Sequence, residues 1–218
     1  MEIKQKLLPA TKYNLKCPYI MKPEFITIHN TANDAAAANE INYMISNSNQ
    51  TSFHIAVDDK EAIQGIPFNR AAWHAGDGSN GAGNRKSIGI EICYSKSGGV
   101  RFEKALENTI EVVVQLMKEY NIPASGIRYH QDWSGKYCPH RLLDMGITVK
   151  EFRKMVEKKL ETTDYENHWA RAAIESMIEK KIMVGSGDGK FRPTDNITRA
   201  EVAQVIDNLL KYGNITKS

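Results

Sequence analysis

The sequence predicts an α/β domain followed by a small all-α helix–loop–helix module. Three observations carry this. Short β-rich runs, Phe25 to Asn30, Ser52 to Asp58 and Ile88 to Tyr94, alternate with segments of helical periodicity over the first 160 or so residues. After Thr162 to Tyr165, which reads as a linker, the strand pattern stops. What remains is two amphipathic segments separated by a glycine-containing loop.

Taken in order, residues 1–23 carry Pro9, Pro18 and Pro23 and read as an irregular arm that wraps the domain without building its core. Phe25 to Asn30 is a strand. Asp34 is placed to cap a helix from Ala35 to about Ile45, whose Ile41, Met44 and Ile45 share one face. Ser52 to Asp58 alternates as a strand and Glu61 to Pro67 follows as its hairpin partner. Ala71 to Lys86 is a long glycine-rich loop, and loops of that length are usually functional. Phe102 to Tyr120 repeats Leu106, Ile110, Val113, Val114 and Met117 at helical spacing. Ile127 to Tyr129 is a short strand, and Thr148 with Glu151 forms a capping box that opens a helix to about Leu160. The C-terminal module is expected to hold one helix from about His168 to Ile182, with Trp169, Ala173, Ile174, Met177 and Ile178 inward and Gly185 as its C-cap. A second opens at the capping box Thr198–Glu201 and runs through Leu210.

Composition excludes several classes. A net charge of +3 is too mild to point to nucleic acid. No stretch approaches the run of about 20 apolar residues that a membrane span needs, so no membrane insertion is expected. Residues 1–9 lack the apolar core of a secretory signal, so the expectation is synthesis in the cytoplasm, with any action at the cell wall following release. Three cysteines make no disulfide framework; Cys17 and Cys93 read as reduced and structural.

The densest chemistry lies in Arg128 to His140, which packs His130, Lys136, Cys138 and His140 into one turn-rich run. Histidine and cysteine are preferred ligands of Zn²⁺, and a set short of four protein ligands fits a catalytic ion with an open position. His130 and Cys138 are the good donors here, and the third candidate is His29, at the exit of the first strand. Lys136 would place a cation beside the metal, where a developing oxyanion needs one. Glu91 puts a carboxylate into an otherwise apolar strand, which is costly unless it is paired or works at a site.

Together, His29-Asn30-Thr31, the "SFHIAVDD" strand, "AWHAG", "SIGIEI" and His130 with "WSGKYCPH" resemble the zinc-dependent N-acetylmuramoyl-L-alanine amidases of the amidase-2 type, relatives of phage T7 lysozyme and the peptidoglycan recognition proteins. Bacillus prophage endolysins look most similar. The resemblance implies a mixed central β-sheet flanked by helices, a catalytic domain over residues 1–161 and peptidoglycan as substrate. It implies Zn²⁺ held by His29, His130 and Cys138, Glu91 as the group that deprotonates the attacking water, and Lys136 as oxyanion stabiliser. His54, Trp73 and His74 are expected to line the substrate groove. T7-type members carry a catalytic tyrosine where this chain has Phe53, which cannot donate a hydrogen bond and leaves the proton transfer to Glu91. Residues 162–218, with their Gly-Asp-Gly loop, Phe191-Arg192-Pro193 and Thr198-Arg199-Ala200-Glu201, resemble a single S-layer homology repeat, a module that in its family holds proteins on secondary cell-wall polymers. Such repeats usually come in threes, and one copy is present. The alternative function is a non-catalytic peptidoglycan-recognition or wall-anchoring protein; the complete set of zinc ligands favours the enzyme.

Overall fold

The computed structural model describes residues 1–161, 163–186 and 190–213. The chain forms two compact units, residues 1–159 and residues 160–218. In order it runs β1 (Ile3–Gln5), α1 (Tyr13–Lys16), β2 (Phe25–Asn30), α2 (Ala37–Ser46), β3 (Ile55–Val57), β4 (Ala62–Gln64), α3 (Ala82–Lys86), β5 (Ser87–Ile92), α4 (Gly99–Tyr120), β6 (Ile127–Tyr129), α5 (His130–Ser134), α6 (His140–Asp144), α7 (Val149–Glu161), α8 (Arg171–Glu179) and α9 (Arg199–Tyr212).

The strands form one mixed sheet in the order β1-β4-β3-β5-β2-β6. The β3–β4 hairpin is antiparallel and every other pair is parallel. The central strands β2 and β5 lie in register from Phe25–Ser87 to His29–Glu91 and Asn30–Ile92. Alternation then sorts their side chains by face. Ile26, Ile28, Ile88, Ile90 and Ile92 share one face and are fully buried. Thr27, His29, Ser87, Gly89 and Glu91 share the other. Parallel strands are covered on both sides, so the polar groups of that second face need partners. Thr27 and Ser87 hydroxyls meet at 2.5 Å, and the Trp133 indole of α5 donates to Thr27 at 2.9 Å. The apolar face is covered by α4, which buries Phe102, Ala105, Leu106, Val112, Val113 and Leu116, and Phe152 of α7 packs edge-on to Tyr129 of β6.

Several expectations need correction. The N-terminal arm is structural. Its β1 extends the sheet beside β4, Leu8, Cys17 and Met21 are buried, and Lys16 is wholly enclosed. Lys16 donates to the Asn47 side chain and the Thr51 carbonyl, and Lys12 donates to the carbonyls of Ile45 and Ser46 that end α2. Asp34 does not cap α2. It accepts from the amide and hydroxyl of Ser97, while Asp58 takes the first helical amide, Ala37, at 2.9 Å. The loop after Ala71 is ordered by its own polar side chains. Asp77 accepts from the amides of Gly83 and Asn84, and the Asn84 side chain accepts from those of His74 and Ala75.

In the second unit, the capping box is present: Thr198 Oγ1 accepts from the Glu201 amide at 3.2 Å, and the Glu201 carboxylate accepts from the Thr198 amide at 2.7 Å. Trp169 does not point inward; it precedes α8 and is 92% exposed. Gly185 is not the C-cap either, because α8 stops at Glu179 and Lys181 takes the left-handed conformation, φ 55°. Asp164 holds the loop before α9, accepting from the amides of Phe191 and Arg192. The glycines of the Gly-Asp-Gly loop, at 187 and 189, lie outside the described residues.

Candidate metal centre

His29, His130 and Cys138 come together at the C-terminal edge of the central strands, and their ligand atoms lie within 4.8 Å of one another. Each arrives by a different device. His29 is the penultimate residue of β2. His130 is the first residue of α5, immediately after β6, where the Asp132 carboxylate accepts from the Tyr129 amide and fixes the turn. Cys138 is brought back by a short loop that turns at Gly135, φ 74°, and is closed by the Gln131 amide donating to the Cys138 carbonyl. The side chain of Asn30 then accepts from the amides of Arg141 and Leu142, tying α6 to the end of β2.

The donors face each other. His29 Nδ1 lies 3.0 Å from His130 Nδ1 and 3.8 Å from Cys138 Sγ. A tetrahedral ion with bonds of about 2.0–2.3 Å sets its ligands roughly 3.3–3.6 Å apart, so both distances from His29 are within a few tenths of an ångström of what such an ion requires. Protonation also suits a cation. Burial pushes His29 well below the ordinary histidine value and His130 down to about 4, with the Lys136 charge contributing to both, so the imidazoles are neutral. Burial, then the Glu91 charge, pushes the Cys138 thiol up to about 11, against the opposing hydrogen bonds of the Asn30 and His140 amides to the sulfur. Metal ligation needs neutral histidine and thiolate, and the ion itself displaces the thiol proton. The residues fit a bound metal ion.

Glu91 stands opposite His29 in the sheet register, on the same face. Its Oε2 is buried with no hydrogen-bond partner. Burial, reinforced by the neighbouring carboxylate of Glu40 and opposed by Lys136, pushes its pKa up to about 8. Lys136 is exposed, in the loop between His130 and Cys138, and its charge reaches His29, His130, Glu91 and Cys138.

The three groove residues fare differently. His54 is fully buried; its Nδ1 accepts from the Gly89 amide and its Nε2 donates to the Arg70 carbonyl. His74 is 6% exposed, with one ring nitrogen 3.0 Å from His29 Nε2 and the other 3.2 Å from the Ser87 carbonyl. Neither has a polar atom left to offer a substrate, so the expectation that they line the groove is corrected. Trp73 is half-buried and packs edge-on to Tyr19. Phe53 is buried and, having no polar atom, adds no hydrogen bond. Sequence reasoning missed Asn30, which serves both the α6 turn and the Cys138 sulfur, although it sits in the His29-Asn30-Thr31 motif.

A mixed α/β sheet that presents two histidines and a cysteine able to hold a metal ion, with an unpartnered carboxylate beside them, has the donor set of a hydrolytic enzyme. Residues 20–141 match the N-acetylmuramoyl-L-alanine amidase family, and residues 161–203 match the S-layer homology domain. The chain belongs to the N-acetylmuramoyl-L-alanine amidase family. It is 50% identical over 214 residues to the N-acetylmuramoyl-L-alanine amidase CwlA of Bacillus subtilis (strain 168), covering 96% of this chain and 79% of that one. It is 60% identical over 158 residues to XlyB, an amidase of the same strain, covering 72% of this chain and 50% of that one. The solved structure of PlyL matches with a TM-score of 0.70 at 61% identity, covering 72% of this chain and 97% of PlyL.

Proposed function

We propose that this enzyme hydrolyses the amide between the lactyl group of N-acetylmuramic acid and the L-alanine of the stem peptide in bacterial peptidoglycan, with Zn²⁺ held by His29, His130 and Cys138. The convergence of those three donors beside the unpartnered carboxylate of Glu91 carries the reading. When bound, zinc supplies Lewis acidity, lowering the pKa of a water from 15.7 to about 7.

Glu91 takes the proton of the attacking water and returns it to the departing L-alanine amine, so water and amide become carboxylic acid and amine. A base tuned toward neutral pH serves both directions, and burial beside Glu40 raises Glu91 accordingly. The Lys136 ammonium offsets the charge that develops on the carbonyl oxygen. The C-terminal S-layer homology module is assigned to secondary cell-wall polymer, which would hold the enzyme near its substrate. Synthesis in the cytoplasm and action at the wall after release complete the proposal.

The test is digestion of purified peptidoglycan by zinc-loaded protein, with the new ends identified by mass spectrometry. Free L-alanine amino termini without new reducing sugars, abolished by a chelator, are expected. New reducing ends, or chelator-resistant cleavage, would overturn it.

A further inference from the structure

His74 sits one hydrogen bond behind the three donors, and nothing in the proposed chemistry uses it. We infer that His74 is a positioning residue of the metal centre: by accepting the Nε2 proton of His29, it holds that imidazole in the tautomer whose Nδ1 lone pair is free for a metal ion. The inference rests on the proposal that His29 is a ligand.

The proton assignments follow from the partner at the far end of the chain. The Ser87 carbonyl can only accept, so His74 Nε2, 3.2 Å away, carries the proton. A neutral imidazole has one N–H, so His74 Nδ1 is an acceptor. The atom 3.0 Å from His74 Nδ1 is His29 Nε2, which therefore donates. A histidine that ligates a metal is neutral, so its Nδ1 is left bare, and that is the atom aimed at His130 Nδ1 and Cys138 Sγ. A backbone carbonyl on β5 thus decides which nitrogen of a β2 histidine faces the metal site. Partners behind metal-bound histidines commonly set tautomer and ring orientation in this way.

The surroundings hold His74 in that pose. Its ring lies against Gly89, where an added Cβ would come within 2.7 Å of His74 Cγ. The Asn84 side chain accepts from the amides of both His74 and Ala75. His54 stands edge-on to the His74 ring, with centroids 5.8 Å apart, but its nitrogens are committed to Gly89 and Arg70, so it supports the ring without joining the relay.

Long-range proton–nitrogen correlation spectra of the metal-free wild-type protein at neutral pH read the tautomers directly. His29 and His74 are both expected to carry their proton on Nε2; a proton on Nδ1 of either would overturn the inference. Zinc affinity, measured by competition with a chromophoric chelator, adds a second readout. His74→Leu, which keeps bulk but removes the acceptor, is expected to weaken zinc binding by about 10–100-fold. His74→Asn places an amide oxygen where Nδ1 was and is expected to restore most of that loss. Equal weakening by both folded variants marks a packing role and overturns the inference. If His74→Leu does not fold, the wild-type spectra decide alone. Wild-type protein that takes up no zinc removes the ligand proposal itself, whereas the wrong tautomer in a zinc-binding protein removes only the role of His74.

Discussion

In the unit spanning residues 1–159, the central strands bury Ile26, Ile28, Ile88 and Ile90 completely, and even the polar face of the sheet is closed by paired hydroxyls, an indole and two enclosed histidines. In the unit spanning residues 160–218, α9 buries none of its residues, and Val202, Ile206, Leu209 and Leu210 are all exposed. There, beside the buried Ile174 and Ile182, local polar devices hold the chain, the Thr198–Glu201 box and the Asp164 clasp on the loop at Phe191 and Arg192. The difference follows from what each unit has to hold. The three donors proposed for the metal have to be placed to within about half an ångström, which demands a scaffold that packs from both sides. A helix–loop–helix held by caps needs only to present a surface, and a core this small stabilises weakly.

Breaking the more exacting unit at its site should have the largest effect. Cys138→Ser is expected to abolish stoichiometric zinc and cut turnover at least about 10³-fold, since an ion worth several kcal/mol of transition-state stabilisation is lost. Metal analysis and peptidoglycan turnover check this together, and unchanged metal content would remove Cys138 from the ligand set. Glu91→Gln should keep zinc and lose about 10²–10⁴-fold in rate. It should also alter stability in the opposite sense. The folded pKa of Glu91 is raised, so its protonated form contributes stability that is complete below the unfolded value of about 4.3 and is lost as pH rises through about 8. The stability of the metal-free wild type should therefore fall across that window relative to Glu91→Gln, by at most about 1.4 kcal/mol per pH unit. Denaturant titrations of both proteins across that window decide it; parallel curves would mean that Glu91 is not shifted. The packing contrast is sharpened by a pair of truncations. Ile90→Ala, at a site with no exposure, should cost about 2–5 kcal/mol. Leu209→Ala, at 47% exposure, should stay within about 0.5 kcal/mol. Calorimetry separates the two, and a large loss at Leu209 would show that the exposed face of α9 is covered in solution.

Much of this was legible in the sequence. The strands Phe25–Asn30 and Ser87–Ile92, the long helix before Tyr120 and the Thr198–Glu201 box announce themselves through local pattern, and His29, His130 and Cys138, singled out with the help of the family resemblance, come together as a group that could hold a metal ion. What escaped depends on neighbours far away in sequence. Ile3–Gln5 has no alternation of its own and is a strand because β4 lies beside it. Asp34 is the cap that local sequence offers, and only the fold brings the distant Asp58 to the Ala37 amide and turns Asp34 to Ser97. His54 and His74 look like groove residues until the sheet shows their nitrogens committed to Gly89, Arg70, His29 and Ser87.

The N-terminal arm has a consequence for anyone who would cut the enzyme down. The residues matching the amidase family begin at 20 and end at 141, leaving out both β1 and α7. A fragment with those bounds would lack the strand that pairs with β4 and the Phe152 ring that packs on Tyr129. Its bare sheet margin would offer a row of unpaired amides and carbonyls to any other copy in solution. Such a minimal enzyme would keep every metal donor and still be prone to assemble edge to edge into insoluble aggregates, so solubility, more than chemistry, sets how far this chain can be shortened.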